Sequence, residues 1–219
     1  MINEIRYYFW ASYRRKMLDE NFKKNISLYK GIVLDIGGRY RSKIEKPVKN
    51  VERWIFADIE EEHEPDIILD VANMKSISNN SIDVINASEL FEHVSNPEKG
   101  ISECNRILKH GGMIIISTPF MYGLHADPFD YQRWTKEKWK LVLGKNNFDV
   151  LQIQDMGYFF TVIADMLKIY FKKSNTILRC LSYFTYPIFD IIVKLDKLST
   201  ENIAWKSYVG GYYIVARKK

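Results

Sequence analysis

Apolar residues in this chain gather in short blocks that end on acids. Ile32 to Leu34 closes on Asp35, Trp54 to Ala57 on Asp58, and Ile67 to Leu69 on Asp70. Short apolar runs rich in β-branched residues and cut off by turn-forming residues predict strands. Ile82 to Asn86, after the turn-rich Ser78–Ser81, predicts a fourth strand and Met113 to Ile116 a fifth. The fifth shows no polar alternation, as a strand covered on both faces requires. Phe148 to Ile153 and Tyr208 to Ala216 predict two closing strands. Between these blocks the period becomes helical. Residues 2 to 25 read as one helix, with Ile5, Tyr8, Phe9, Ser12 and Tyr13 near one face. Asn96 offers an N-cap and Pro97 a first helical position for a helix that carries Ile101, Cys104, Ile107 and Leu108 and stops at Gly111–Gly112. Thr135 caps another, with Trp139, Val142 and Leu143 inward and Gly144 at its end. Strands alternating with helices predict an α/β fold with a mainly parallel sheet and helices on both faces.

Two departures alter that outline. Only eleven residues separate Asp58 from Asp70, so the usual helix between the second and third strands is nearly absent. Residues 157 to 200 are instead long, helical in character and rich in aromatics, where a simple fold would place a short connection. Without a Gly/Ser/Pro bias this stretch reads as a helical insert rather than a linker. The predicted organisation is an N-terminal helical cap over 1–30, a core over 31–157, an insert over 158–205 and a closing strand over 206–219.

Charge adds one element. The net charge is +5, with basic residues gathered near both ends: Arg14, Arg15, Lys16, Lys23 and Lys24 early, Arg217 to Lys219 last. Such clusters suit an anionic neighbour or a solvated surface. Cys104 and Cys180 are far apart, form no metal-type spacing and suit a reducing compartment. The sequence therefore assigns no metal. The N-terminus has acids and arginines among its aromatics, unlike a secretory signal, and no uncharged stretch reads as a bilayer span. The expected location is cytoplasmic.

The three strand-ending acids carry the candidate chemistry. Gly37 and Gly38 follow Asp35, so the backbone can turn sharply and approach a ligand there. In nucleotide-type folds ligands sit at the carboxyl ends of the strands, where an acid after the second strand accepts ribose hydroxyls. Asp58 fits that role, with Ile59 beside it. Asp70, with Val71, is placed to accept from an adenine amino group. Asp35 lies under the first loop, where a ligand ammonium suits it. A ligand with adenosine and an ammonium is S-adenosylmethionine. A pyrophosphate site wants G-x-G-x-x-G, and Gly37-Gly-Arg-Tyr-Arg-Ser42 lacks the later glycines.

The segments Val33-Leu-Asp-Ile-Gly-Gly38, Phe56-Ala-Asp58, Asp66-Ile-Ile-Leu-Asp70, Ser81-Ile-Asp-Val-Ile85, Glu89-Leu-Phe-Glu-His-Val94 and Ile107-Leu-Lys-His-Gly-Gly112 together resemble a class I S-adenosylmethionine-dependent methyltransferase of the type 11 group. The resemblance implies a Rossmann-like, doubly wound, seven-stranded sheet. It implies cofactor contacts from Asp35, Gly37, Gly38, Asp58, Ile59, Asp70, Val71 and Ser88. Arg39 departs from the pattern, standing where the family has glycine. A narrower resemblance follows the fifth strand, in Ser117-Thr-Pro-Phe-Met-Tyr-Gly-Leu-His125 and Asp127-Pro-Phe-Asp-Tyr-Gln-Arg-Trp-Thr135. It is similar to bacterial methyltransferases encoded among polysaccharide and glycan genes, and implies a sugar or lipid-linked glycan as acceptor.

A hydroxyl acceptor must lose its proton, and a general base contributes about 10²–10⁴ in rate. His125 is the first candidate base, Asp130 its orienter and His93 the second candidate. Arg133 suits an anionic substrate group or a pairing with Asp127 or Asp130, and Tyr131 either touches substrate or packs the loop. The open alternatives are methyl transfer to another small molecule, such as a quinone-like acceptor, and a non-catalytic module that binds partners through its insert. Nucleic acid is not expected, since the fourth strand runs into Asn86-Ala-Ser-Glu89 rather than an Asn/Asp-Pro-Pro-aromatic motif. The aromatic and basic stretches 1–25 and 158–200 suit a cap over the site, a homodimer face or a peripheral contact with the inner face of a membrane.

Overall fold

The computed structural model describes residues 2–38, 49–125 and 129–219. Arg39 and Asp127, singled out above, lie outside the described residues. Strands β1 (Gly31–Ile36), β2 (Val51–Asp58), β3 (Ile67–Ile68), β4 (Ile82–Ser88), β5 (Leu108–Pro119), β6 (Phe148–Asp155) and β7 (Gly211–Lys218) form one seven-stranded sheet in the order β3-β2-β1-β4-β5-β7-β6. The pairs from β3 through β5 are parallel. The bonds Met156 N–H to Gly211 O (2.8 Å) and Lys219 N–H to Asn147 O (3.1 Å) join opposite ends of β6 and β7, so β7 runs antiparallel to β6. The expected doubly wound architecture is therefore present, with a reversed strand inserted near one edge.

The helices are α1 (Ile2–Trp10), α2 (Tyr13–Lys24), α3 (Pro97–Ile107), α4 (Lys136–Lys145), α5 (Phe159–Lys173), α6 (Thr176–Ser182), α7 (Tyr186–Lys194), α8 (Asp196–Ser199) and α9 (Ile203–Lys206). Asn96 caps α3 by accepting the Lys99 N–H at 3.2 Å, and Thr135 caps α4 by accepting that of Lys138 at 3.3 Å. These local polar caps satisfy donors that a helix start leaves open. A 3₁₀ turn, Glu61–His63, replaces a helix between β2 and β3.

Three boundaries differ from the sequence reading. The first helix is two, because the chain breaks at Ala11–Ser12 between α1 and α2. Helix α3 ends at Ile107, and Gly111–Gly112 belong to β5, whose register against β4 shifts between Ile82 and Val84. Gly111 takes φ +75°, so the glycine pair serves an irregular strand rather than a helix end. The last strand begins at Gly211, three residues later than expected.

The chain divides into two compact units. One comprises 21–120, 124–154 and 212–219 and holds the sheet; the other comprises 1–20, 121–123 and 155–211 and is helical. The sheet unit is built on fully buried Val84, Ile85, Ile114, Ile115, Tyr213 and Ile214. In the helical unit, buried Tyr13, Ala164, Tyr186 and Phe189 form a core against which Tyr8, Phe9, Phe171, Ile192 and Val193 pack. Residues 1–20 of the predicted N-terminal cap thus fall in one unit with the predicted insert, while 21–30 fall in the sheet unit.

The stretch Thr176–Ser199 is long and apolar enough, by length and composition, to cross a membrane, which corrects the expectation that no stretch reads as a span. Here it is a chain of shorter helices anchored by its acids. Asp190 accepts the Tyr13 hydroxyl at 2.7 Å, and Asp196 accepts the backbone N–H groups of Tyr158 (2.8 Å) and Phe160 (2.9 Å) at the start of α5.

Candidate active site

Parallel pairing brings Asp35 level with Asn86 and Ser88 level with Ser117, and Asp58 ends β2 beside them. These residues line the carboxyl edge of the sheet, where an α/β fold places its ligand. Asp35 is buried, and its carboxylate accepts from Asn86 Nδ2 at 2.7 Å and Trp54 Nε1 at 3.1 Å. Expected to face a ligand ammonium, it is turned to two protein donors and braces the first loop. Gly37 takes φ +70° and donates its N–H to Ala57 O at 2.8 Å. A Cβ on Gly38 would fall 2.2 Å from Asp35 Oδ1, so only glycine passes over that carboxylate.

Asp58 is also buried. Its Oδ1 accepts the Glu60 N–H at 3.0 Å, and His63 Nδ1 lies 3.0 Å from its Oδ2. The His63 contact was not foreseen; the 3₁₀ turn creates it. Ile59, next in sequence, exposes its side chain at the same strand end. Asp70 accepts the Ala72 N–H at 2.8 Å, an Asx turn on an exposed loop. Val71 is buried, close to the Gly100 backbone of α3. Ser88 and Ser117 share a hydrogen bond of 2.7 Å between their hydroxyls.

Beyond β4 the chain turns through Glu89, which holds φ +53°. A non-glycine residue in the left-handed region is strained, and such strain clusters at functional turns. The turn delivers Glu92 and His93 on a 3₁₀ segment, Phe91–His93. The loop after β5 is stapled onto it. Tyr131 N–H bonds Glu92 O at 2.8 Å, and Gln132 Nε2 bonds Phe91 O at 3.1 Å and Val94 O at 2.7 Å. This brings together side chains more than thirty residues apart. The His93 and His125 rings meet edge to face, centroids 5.1 Å apart. His93 Nδ1 lies 2.6 Å from Phe129 O, and since a carbonyl only accepts, that nitrogen donates. His125 Nδ1 lies 3.4 Å from Asp130 Oδ2, and the His125 N–H also bonds Asp130 at 3.0 Å. Arg133 binds Asp130 through both terminal nitrogens, the Nη2 contact at 2.6 Å. This hydrogen-bonded guanidinium, first among the causes, holds the Asp130 carboxyl down at about 2.

Of the two readings left open for Arg133, the structure displays the pairing with Asp130. Tyr131 is exposed and stacks at a tilt on Phe129, centroids 5.6 Å apart. Glu92, missed as a site residue, is buried beside the two imidazoles. One ligand atom from each of Glu92, His93 and His125 lies within 4.8 Å of the others. Its signal in the sequence was the Glu-His pair directly after a strand.

Residues 48–116 match the model of the methyltransferase domain family. The chain carries a methyltransferase domain. The match spans Asp58, Asp70, Ser88, Glu92 and His93. No curated protein matches the chain. Among solved structures, the chain is similar to an S-adenosylmethionine-dependent methyltransferase from Archaeoglobus fulgidus at 20% identity and TM-score 0.60, covering 99% of both chains. It is similar to the [4+2]-cyclase SpnF at 16% identity and TM-score 0.62, covering 95% of this chain and 83% of that one. It is similar to phosphoethanolamine N-methyltransferase 2 of Haemonchus contortus, in complex with S-adenosyl-L-methionine, at 17% identity and TM-score 0.57, covering 92% of this chain and 52% of that one. The cofactor of such a domain is S-adenosylmethionine. The methyltransferase domain fits it: a glycine turn with no room for a Cβ, a buried carboxylate at the end of β2 and an open apolar side chain at Ile59.

Proposed function

We propose that the methyltransferase domain transfers a methyl group to a hydroxyl of a sugar, on a glycan or lipid-linked glycan. The observation that carries this reading is the imidazole pair His93 and His125, backed by the Asp130–Arg133 pair, at the cofactor edge. S-adenosylmethionine supplies the methyl on a sulfonium, a good leaving group. Asp58 holds the ribose hydroxyls, Gly37 and Gly38 let the first loop close on the methionyl end, and Ile59 and Val71 flank the adenine, whose amino group Asp70 accepts. Orientation of two reactants in this way removes about 7–11 kcal/mol of barrier. The acceptor's proton is the remaining task. With Asp130 ionised behind its Nδ1, His125 is the base, and His93 stands beside it. An amine acceptor would not need such a group in the same degree, because its own lone pair attacks.

A lipid-linked acceptor draws support from the helical unit. Ile177, Leu181, Phe184, Ile188, Ile191, Leu195 and Leu198 alternate in steps of four and three and are all exposed, Phe184 at 82%. Lys172, Lys173, Arg179, Lys194 and Lys197 are exposed along the same stretch, while Asp190 and Asp196 are turned inward. An apolar helical face flanked by lysines suits an anionic lipid surface at the cytoplasmic side of a membrane.

Two measurements test the activity. Calorimetry should detect S-adenosylmethionine binding by the full chain, weakened roughly 10- to 100-fold in Asp58→Ala, the loss of a charged hydrogen bond of about 1.5–3 kcal/mol. Mass spectrometry of glycan intermediates incubated with the protein should show a gain of one methyl group, absent with His125→Ala. Cofactor binding by His125→Ala together with undiminished methylation would remove the imidazole from the reading.

A further inference from the structure

We infer that Glu92, His93 and His125 form a divalent-metal site that binds the acceptor hydroxyl. The inference rests on the hydroxyl-acceptor reading and assigns the two imidazoles a different task, coordination in place of direct proton removal. Three features of the geometry support it. The first is convergence: one ligand atom from each residue lies within 4.8 Å of the other two. Ligands about 2.1 Å from a common cation lie roughly 3–4 Å apart, so closure needs only side-chain rotation. His93 Nε2 already stands 3.8 Å from Glu92 Oε1.

The second feature is the outer ring of contacts. Imidazoles that ligate a metal donate their other ring nitrogen to a carbonyl or a carboxylate, which fixes tautomer and orientation. Both do so here. His93 Nδ1 donates to the Phe129 carbonyl at 2.6 Å. His125 Nδ1 faces the Asp130 carboxylate at 3.4 Å, and Arg133 in turn grips that carboxylate with two nitrogens. Nε2 is then the ligating nitrogen of each ring. The third feature is the burial of Glu92, at 1% exposure, inside a turn strained at Glu89. Burial holds the carboxylate in one place against the two imidazoles, so the three donors stand ready around a common point.

The donor set names the class of ion. Two imidazoles and a carboxylate suit first-row divalent ions such as manganese, iron, cobalt or zinc, and leave positions open for substrate oxygen. The acceptor hydroxyl takes an open position, and the ion's charge lowers the pKa of that oxygen. Its proton passes to solvent, the O–C bond to the methyl forms as the C–S bond breaks, and the sulfonium becomes a neutral thioether. No electron is lost or gained.

The experiment is titration of the tag-free full-length protein with Co²⁺, followed by visible absorption and by metal analysis after gel filtration. The expected result is about one equivalent of cobalt with ligand-field bands for the parent and for His110→Ala, a histidine elsewhere on the sheet unit. Uptake should be lost in His93→Ala, His125→Ala and Glu92→Gln. S-adenosylmethionine calorimetry on the same samples reports whether each variant is folded. Glu92→Gln preserves size and hydrogen bonding, so it remains informative if an alanine variant fails to fold. A parent protein that binds S-adenosylmethionine yet takes up no cobalt would overturn the site. So would uptake unchanged in Glu92→Gln and His93→Ala. Cobalt uptake without cofactor binding would uphold the metal site while removing the methyl-transfer reading.

Discussion

Gly38 shows how one missing methyl shapes the cofactor edge. Asp35 Oδ1 occupies the place a Cβ would take, at 2.2 Å. Gly38→Ala should lower the thermal midpoint by an amount matching about 1–3 kcal/mol of overpacking strain, and weaken S-adenosylmethionine binding. Asp35→Ala removes the opposing atoms. The double variant should therefore be more stable than the sum of the two single changes predicts, a non-additivity that thermal unfolding of the four proteins measures. At this scale the strand-end acids of the candidate site could be read directly. Asp35, Asp58 and Asp70 were visible because each closes an apolar run. His63 and Glu92 were not seen as partners of the site, because a 3₁₀ turn in each case swings the side chain toward it. Spacing along the chain does not reveal that rotation.

At the scale of elements, the sequence reads residues 2–25 as one helix because nothing local interrupts the pattern. The break is made from far away. Asp165 on α5 accepts the Tyr13 and Arg14 N–H groups at 2.6 and 3.0 Å, capping α2. Lys168, one turn on, donates to Tyr8 O at 2.9 Å and Ala11 O at 2.6 Å, capping α1. Two residues of one helix thus satisfy the open ends of two others. Burial, the largest cause, pushes Lys168 down to about 8, assisted by Lys16 and Lys172 and opposed by Asp165 and Asp190. Its pKa in the unfolded chain is the ordinary 10.5. Between those values the unfolded chain holds a proton that the folded one has shed, so stability rises with pH from about 8. Tyr8, pushed up to about 12 by burial, acts in the opposite sense once unfolded tyrosine ionises near 10. Thermal midpoints should therefore climb between pH 8 and 10 and then fall. In Lys168→Met the climb should flatten, and an unchanged slope would show that another group carries it.

At the scale of the whole molecule, the helical unit exposes an apolar stripe from Ile177 to Leu198. Contiguous apolar surface of this kind marks a contact. The parent protein should float with phosphatidylglycerol vesicles, bind them less at high salt and ignore phosphatidylcholine vesicles. Phe184→Ser with Ile188→Ser should abolish flotation and leave S-adenosylmethionine binding intact. A parent that ignores both vesicles but is dimeric by light scattering would assign the stripe to a second copy of the chain. The sequence by itself determined the strands, the acids that close them, the local caps at Asn96 and Thr135 and the class of cofactor. All of these depend on neighbours a few residues apart, where periodicity and side-chain chemistry act directly. Only the tertiary structure decided the split of the first helix, the union of the N-terminus with the insert and the meeting of Glu92, His93 and His125. Those depend on groups more than thirty residues apart, whose approach is set by strand pairing and by buried polar groups seeking partners across the fold.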